Sequence, residues 1–161
     1  MFDIKMNGFA VKCRKYVLRL IALRARSAWE IENRLKKAGY DNNVRISVIT
    51  ALKQEKFIDD VKFAKEWVDS RLRLNPRAVN VIRAELVSKG VSEDIIEQTF
   101  LDKSEQLDDH IIALRLIENK FGFKKKVSLE EKGKIKLFRF LLSKGFDAEL
   151  AEEVIQEKFR E

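Results

Sequence analysis

One helix-ending pattern occurs three times in this 161-residue chain and constrains its fold more than any other feature. In each copy a leucine lies four residues before a glycine, and an apolar residue and a helix-capping residue follow: Leu35–Gly39–Tyr40–Asp41, Leu86–Gly90–Val91–Ser92 and Leu141–Gly145–Phe146–Asp147. Glycine is favoured after a helix because it adopts the left-handed conformation without a steric penalty. Apolar residues also recur at matched offsets around the three glycines. The sequence therefore predicts a tandem repeat of about 50 residues.

The spacing of apolar residues is helical through nearly the whole chain, and no segment alternates over the length of a strand. We predict an all-α fold of three tandem three-helix repeats, at 1–56 with a short N-terminal extension, 57–102 and 103–161. Because stacked units of this kind share their cores, the expected body is elongated, curved and solenoid-like. Three glycines then mark the ends of equivalent helices.

Capping residues place several helix boundaries within these repeats. Serine and glutamate have the spacing of a capping box at 27–30 and at 128–131. Asn75 and Pro76 have the preferences of an N-cap and a first helical residue, so they predict the start of the fifth helix. The first helix is expected at about 12–25, the third at about 42–55 and the seventh at about 104–120, from the apolar spacing.

The counts of cysteine and histidine, one of each, exclude several classes of protein. A single cysteine cannot form an internal disulfide, and one cysteine with one histidine cannot build a zinc site from those residue types. The sequence also has no glycine-rich phosphate loop and no set of residues at metal-ligand spacing. We therefore expect a protein that is not an enzyme and has no cofactor or metal, with Cys13 as a small, partly buried residue.

Two pairs of adjacent aspartates could in principle serve as carboxylate sites for Mg²⁺. The pair Asp59-Asp60 is better explained as the start of the fourth helix, where carboxylates cap the backbone and oppose the helix dipole. The pair Asp108-Asp109 falls on a predicted helix and has no phosphate-binding loop beside it. Arg71 is expected either to form a basic rim or to pair with Asp59 or Asp60.

The N-terminus does not predict export or membrane insertion. Its apolar stretch is interrupted by Arg19 and lacks a cleavage site of small residues. No run approaches the roughly 20 apolar residues that span a bilayer. We expect a reduced, cytoplasmic, monomeric protein without membrane contact.

The net charge of +7 is unevenly distributed along the chain. Residues 1–56 carry +8, residues 57–102 carry −2 and residues 103–161 carry +1. Within the last segment, 120–144 carry +7 and 145–161 carry −4. Two basic blocks on a helical body could follow a phosphate backbone, although lysine and arginine are also common on solvated helix surfaces.

The two tryptophans have different expected roles. Trp67 lies four residues after Phe63 on one helix face, so core packing is favoured over base stacking. Trp29 lies in the first turn of its helix, close in sequence to Arg26 and Arg34. Its exposure and a contact role stay open at this point.

Two stretches of the chain also match a known family motif by motif. From Leu18 to Gly39, an arginine–serine pair precedes a helix that ends in glycine and an aromatic residue. From Phe57 to Arg71 run Asp-Asp, Phe-Ala, an aromatic–aliphatic pair and arginine. In these motifs, over about 14–101, the chain resembles the family of the bacterial regulatory protein RecX. The last third matches mainly through the repeat, and Ile31 and the segment Leu74-Asn75-Pro76 depart from the usual leucine and glycine-rich turn.

The resemblance implies an all-helical negative modulator of the RecA recombinase. Family members bind the RecA–DNA filament along its groove and limit its extension or promote its disassembly, so that ATP hydrolysis, strand exchange and coprotease activity fall. Some also bind DNA directly, so the implied partners are the RecA filament and single-stranded DNA. The alternatives that remain are a stand-alone DNA-binding helical protein and a helical-repeat scaffold for proteins alone.

The expected site residues fall into two sets. The basic residues expected to contact RecA or DNA are Arg24, Arg26, Arg34, Lys36, Lys37, Arg71, Arg73, Arg77, Lys124, Lys125 and Lys126. The family signature, carried over by position and expected to be mostly structural, consists of Asp59, Asp60, Phe63, Trp67 and Arg71.

Overall fold

A computed structural model describes residues 8–121 and 131–159, and within these ranges it contains nine α-helices and no strand. The helices are α1 (Gly8–Leu23), α2 (Ala28–Lys37), α3 (Asn42–Gln54), α4 (Asp60–Leu74), α5 (Val79–Ser88), α6 (Glu93–Asp102), α7 (Asp109–Phe121), α8 (Glu131–Ser143) and α9 (Ala148–Phe159). The all-α class predicted from the sequence is confirmed. Ser128, the serine of the second predicted capping box at 128–131, lies outside the described residues.

Local signals placed most helix ends correctly. At the start of α2, Ser27 Oγ accepts a hydrogen bond from the backbone N–H of Glu30 at 3.1 Å, and the Glu30 carboxylate accepts one from Ser27 N–H at 3.3 Å. This is the predicted capping box. Asp147 caps α9 in a similar way, through the N–H of Leu150 at 2.8 Å. The three repeat-marking glycines all have positive φ, between 70° and 93°.

The prediction for the start of the fifth helix is wrong, because α5 begins at Val79 rather than at Pro76. The capping groups of this segment are used elsewhere. The side-chain oxygen of Asn75 accepts a hydrogen bond from Lys144 Nζ at 2.9 Å, and Ala78 N–H donates to the Lys144 carbonyl at 3.1 Å. A contact with a distant part of the chain therefore overrides the local preference.

Two other boundaries differ from prediction. The first helix begins four residues earlier and ends two residues earlier than expected. Just beyond its end, Arg26 Nε donates a hydrogen bond at 3.3 Å to the carbonyl of Leu20 in the last turn of α1. The seventh helix begins five residues later than expected, because Asp108 caps it by accepting the N–H of Ile111 at 3.0 Å. The aspartates 108–109 therefore lie at a helix start rather than within a helix.

The helices form two compact units, each with its own core. Unit 1 comprises Met1–Glu66 and Leu86–Ile96, and unit 2 comprises Trp67–Glu85 and Glu97–Glu161. The buried core of unit 1 consists of Ala10, Cys13, Val17, Ile31, Leu35, Val48, Leu52 and Ile58. The buried core of unit 2 consists of Ala78, Ile112, Ala113, Leu116, Ile117, Leu137, Leu141, Phe146, Ala151, Val154 and Ile155.

Unit 1 contains a packed junction between the start of α2 and the segment that follows α5, which we call the first junction. Ser27 Oγ donates a hydrogen bond to the Lys89 carbonyl at 2.6 Å. A Cβ added to Gly90 would lie 2.4 Å from Cβ of Trp29, so only glycine allows this approach. The first N–H of α2, that of Ala28, donates to the Asp60 carboxylate at 2.8 Å.

Unit 2 contains an equivalent contact between the start of α5 and the end of α8, the second junction. Here Ala78 N–H donates to the Lys144 carbonyl, and a Cβ added to Gly145 would lie 2.2 Å from a methyl group of Val81. The first N–H of α5 donates to the Asp109 carboxylate at 2.7 Å. Both junctions therefore combine a close-packed glycine with an aspartate from the start of another helix.

Candidate functional site

A basic concave surface of unit 1 lies beside α2. We call it the basic cleft. Its volume is about 680 Å³. It is lined by Tyr16, Arg24, Arg26, Trp29, Glu30, Asn33, Arg34, Lys37 and Ala38. Four of these side chains are cationic and one is anionic, so the cleft favours an anionic partner.

The exposed face of α2 supplies much of this surface because of its helical spacing. Trp29, Asn33 and Lys37 follow one another at intervals of four residues, so they lie on one face of the helix. Ile31 and Leu35 lie on the opposite face and are fully buried in the core of unit 1. An amphipathic helix thus holds the polar face at the surface while its apolar face anchors it.

The one acidic side chain of the cleft, Glu30, is held by two cations. Its carboxylate bonds Arg24 Nη2 at 2.8 Å and lies 3.6 Å from Lys89 Nζ. Burial raises the pKa of Glu30, but the Arg24 hydrogen bond, the charges of Lys89 and Arg24 and the Ser27 N–H bond together bring it below its ordinary value. Glu30 therefore stays ionised near neutral pH, and Arg24 serves in an internal ion pair as well as in the cleft wall.

Arg26 carries a positive charge in an environment that disfavours it. Burial lowers the pKa of its guanidinium, the positive charges of Arg24 and Arg34 lower it further, and Glu30 and Tyr16 oppose this shift. Its Nε donates to the Leu20 carbonyl. A bound anion would relieve the repulsion between these three arginines, since an opposite charge nearby favours the charged form.

Three further predicted contact residues on α2 are exposed. Arg34 and Lys37 line the basic cleft, whereas Lys36 is exposed outside its lining. Within the described part of the chain, none of the three forms an ion pair. Their charges are therefore available to a partner, unlike that of Arg24.

The predicted contact residues in unit 2 have a different setting. Arg71 Nε bonds the Glu85 carboxylate at 2.6 Å, and its guanidinium lies over the Trp67 ring at 4.4 Å. Arg77 Nε lies 3.7 Å from the same carboxylate, and Arg73 is exposed. The acidic partner of Arg71 in this structure is thus Glu85, which is neither of the two aspartates considered as one of its alternatives from the sequence. The sequence pattern missed it because Glu85 lies on another helix.

The acidic and apolar members of the family signature make contacts that hold the fold. The Asp59 carboxylate accepts the N–H groups of Val61 and Lys62, both at 3.0 Å. Asp60 accepts the first N–H of α2 in the first junction, and the side chain of Phe63 is buried. Lys124, Lys125 and Lys126 lie outside the described residues.

Four members of the cleft lining were not predicted as site residues from the sequence: Tyr16, Glu30, Asn33 and Ala38. Asn33 could have been found, because it lies one helical turn after Trp29 on the same face. Tyr16 lies on α1, so only the tertiary fold brings it to the cleft. Asn33 Nδ2 is buried and has no hydrogen-bond partner among the described residues.

Neither a metal centre nor a membrane span is found in the part of the chain that the structure describes. No group of three or more His, Cys, Asp or Glu side chains in 8–121 and 131–159 could hold a metal ion. None of the described helices is both long enough and apolar enough to cross a bilayer.

The sequence matches three models of one protein family in succession along the chain. Residues 13–52 match the first three-helix domain of RecX, residues 59–99 the second and residues 109–155 the third. The predicted order of three three-helix units is therefore confirmed. Together these matches cover most of the chain.

Individual relatives and solved structures agree with these matches. "Regulatory protein RecX" of Clostridium perfringens (strain 13 / Type A) is 34% identical over 157 residues, which cover 95% of this chain and 71% of the relative. The protein of the same name from Mycobacterium avium (strain 104) is 31% identical over 146 residues, covering 89% and 83%.

The crystal structure of RecX from Lactobacillus salivarius superposes with a TM-score of 0.70 at 20% identity, covering 94% of this chain and 97% of that one. A second crystal structure, of a regulatory protein RecX, gives a TM-score of 0.68 at 18% identity, covering 96% and 81%. These two likenesses show the shared fold. Together with the family models and the relatives, they establish that the chain belongs to the RecX family of regulatory proteins.

Proposed function

We propose that this chain is a negative modulator of the RecA recombinase, which binds the RecA–DNA filament and limits its extension. ATP hydrolysis, strand exchange and coprotease activity all depend on the filament, so all three fall when the protein binds. Family membership supports this proposal at the level of the protein. The observation that carries it at the level of residues is the basic cleft of unit 1.

The basic cleft suits a surface that contains DNA. Exposed arginine and lysine side chains bind phosphates mainly through charge and largely without sequence preference. Arg34 and Lys37 supply such charges, and Arg26 adds a third that gains from a nearby anion. Charge of this kind would let the protein bind a filament on any DNA sequence.

The test is the RecA-dependent ATPase activity on single-stranded DNA, with this protein titrated in. We expect inhibition at stoichiometric or lower ratios of protein to RecA, because each bound molecule would block further extension. Full ATPase activity at an excess of the protein would refute the proposal. On this proposal the protein works as a monomer in the cytoplasm, and sedimentation of the purified chain checks the first point.

A second candidate is a stand-alone DNA-binding protein, which the exposed Trp29 in the basic cleft favours. It predicts salt-dependent binding to DNA in the absence of RecA. If about five phosphates of a single strand are contacted, the log–log slope against salt is about −3 to −4. DNA binding without any effect on RecA would favour this candidate. A slope near zero with protein partners would favour a helical-repeat scaffold.

A further inference from the structure

We propose that Trp29 is a stacking platform for one unpaired base of single-stranded DNA, while cations of the basic cleft bind the adjoining phosphates. The inference rests on the proposed function only in taking the basic cleft as the surface that meets DNA. It goes further by assigning the ligand of Trp29 and the way in which it binds.

Trp29 is exposed and yet held in place. Half of its surface, 51%, is accessible to solvent, which is unusual for so large an apolar side chain. Its Cβ and Cγ atoms pack against the backbone at Gly90, where a Cβ would lie within 2.4 Å of both. The root of the side chain is therefore anchored, so the ring loses little further freedom on binding. Such preorganisation favours affinity.

Trp67, the other tryptophan of the chain, has a ring that other side chains already contact. The guanidinium of Arg71 covers the face of Trp67, and the indole N–H of Trp67 donates to Glu85 at 2.9 Å. Among the described residues, no aromatic or cationic side chain covers the ring of Trp29. Every base presents an aromatic face, so an open indole beside cations suits a single strand of any sequence.

The positions of the cations match this arrangement. Arg34 and Lys37 lie on the same helix as Trp29, about 7.5 Å and 12 Å further along its axis at 1.5 Å per residue. Their long side chains line the same cleft as the ring. A strand whose base stacks on Trp29 can therefore place its backbone along α2 against these two charges.

Tryptophan fluorescence tests the inference directly in the full chain. The Trp67→Phe variant leaves Trp29 as the only tryptophan, and it is titrated with a thymidine oligonucleotide and with an abasic oligonucleotide of equal length. We expect quenching by the thymidine strand, and weaker binding without quenching by the abasic strand. Equal affinity for the two strands would overturn the inference, because both carry the same phosphates.

A second variant keeps the test decisive if Trp67→Phe does not fold. In Trp29→Leu, which retains Trp67, binding measured by anisotropy of a labelled thymidine strand should weaken about 5-fold to 100-fold, the range typical of one lost stacking contact. Unchanged affinity in this variant would overturn the inference. The wild-type ATPase titration separates the two proposals. Inhibition of RecA without base-dependent binding would support the proposed function and overturn the stacking role of Trp29. Base-dependent binding without inhibition would support the stacking role and overturn the proposed function.

Discussion

The first and second junctions are built to one plan with different side chains. Both pack a positive-φ glycine against the start of another helix, and both use an aspartate to cap that helix. In the first junction the helix start is polar, with the Ser27 hydroxyl and the ion-paired Glu30. In the second junction the corresponding place is taken by Ala78, which is buried, and Val81.

The difference shows which parts of the junction are interchangeable. The glycine and the aspartate act on the backbone, where few other residues would serve, whereas the side chains around them vary between units. In unit 1 the polar start of α2 adjoins the basic cleft and carries the exposed Trp29. In unit 2 the start of α5 contributes to the core through Ala78. One repeat architecture thus supports a candidate binding surface in one place and packing in the other.

The largest expected effect comes from the junction glycines. Gly90→Ala and Gly145→Ala should each destabilise the fold by about 2 to 5 kcal/mol, the sum of a left-handed backbone penalty and overpacking against Trp29 or Val81. Gly39→Ala is the control, since Gly39 also has positive φ but nothing lies within 4 Å of its added Cβ. It should cost about 1 to 2 kcal/mol. Urea denaturation measures all three, and equal losses would contradict the close packing.

A smaller loss is expected from Ser27→Ala, which makes the first junction resemble the second. The hydroxyl caps α2 and bonds the Lys89 carbonyl, so its removal should cost about 1 to 2 kcal/mol of unfolding free energy. Ser143→Ala is the matched control, because that hydroxyl is exposed and bonds only the nearby Phe140 carbonyl. A loss no greater for Ser27→Ala than for the control would show that the polar contact contributes nothing.

The smallest expected effect concerns how the unfolding free energy depends on pH. Glu30 of the first junction and Asp109 of the second should contribute to it with opposite pH trends. The pKa of Glu30 lies below its ordinary value of 4.5, so its contribution to stability is present above that value and is lost as pH falls. Burial raises the pKa of Asp109 above its ordinary value of 3.8; Asp108 and Asp147 add to this shift, and the Val79 N–H bond opposes it. The contribution of Asp109 to stability is full below pH 3.8 and declines as the pH rises through the raised pKa.

Two isosteric variants measure this contrast. Relative to wild type, Glu30→Gln should be more destabilising at about pH 7 than at about pH 3.5. Asp109→Asn should show the opposite trend and be less destabilising at about pH 7 than at about pH 3.5. Urea denaturation of both variants at the two pH values provides the comparison. The same pH trend in both variants would contradict the opposite shifts.

Much of the fold could be predicted because its signals are local. The capping box at Ser27, the cap at Asp147 and the positive-φ glycines each depend on residues a few positions apart. The start of α5 could not be predicted, since Lys144 takes the side chain of Asn75 from 69 positions away.

The candidate site was predictable in its location and less so in its details. Basic residues concentrated around α2 pointed to this region as a candidate, and the structure brings four of them to one cleft. Sequence could not separate the exposed Arg34 and Lys37 from Arg24, which Glu30 pairs, or from Arg71, which Glu85 pairs. Ion pairs that form only in the folded chain decide which charges remain for a partner.

On the proposed function, the basic cleft of unit 1 carries the inhibition of RecA. The measurement is the concentration that halves RecA-dependent ATPase activity, for wild type, for Arg34→Glu with Lys37→Glu, and for Lys12→Glu with Lys15→Glu. The last pair has the same change in charge on exposed residues of α1 outside the cleft lining. We predict that the cleft variant requires at least about tenfold more protein, because it replaces two phosphate-binding charges with repulsive ones, while the α1 variant inhibits like wild type. Wild-type inhibition by the cleft variant, with its helical fold intact, would show that the basic cleft does not carry the inhibition.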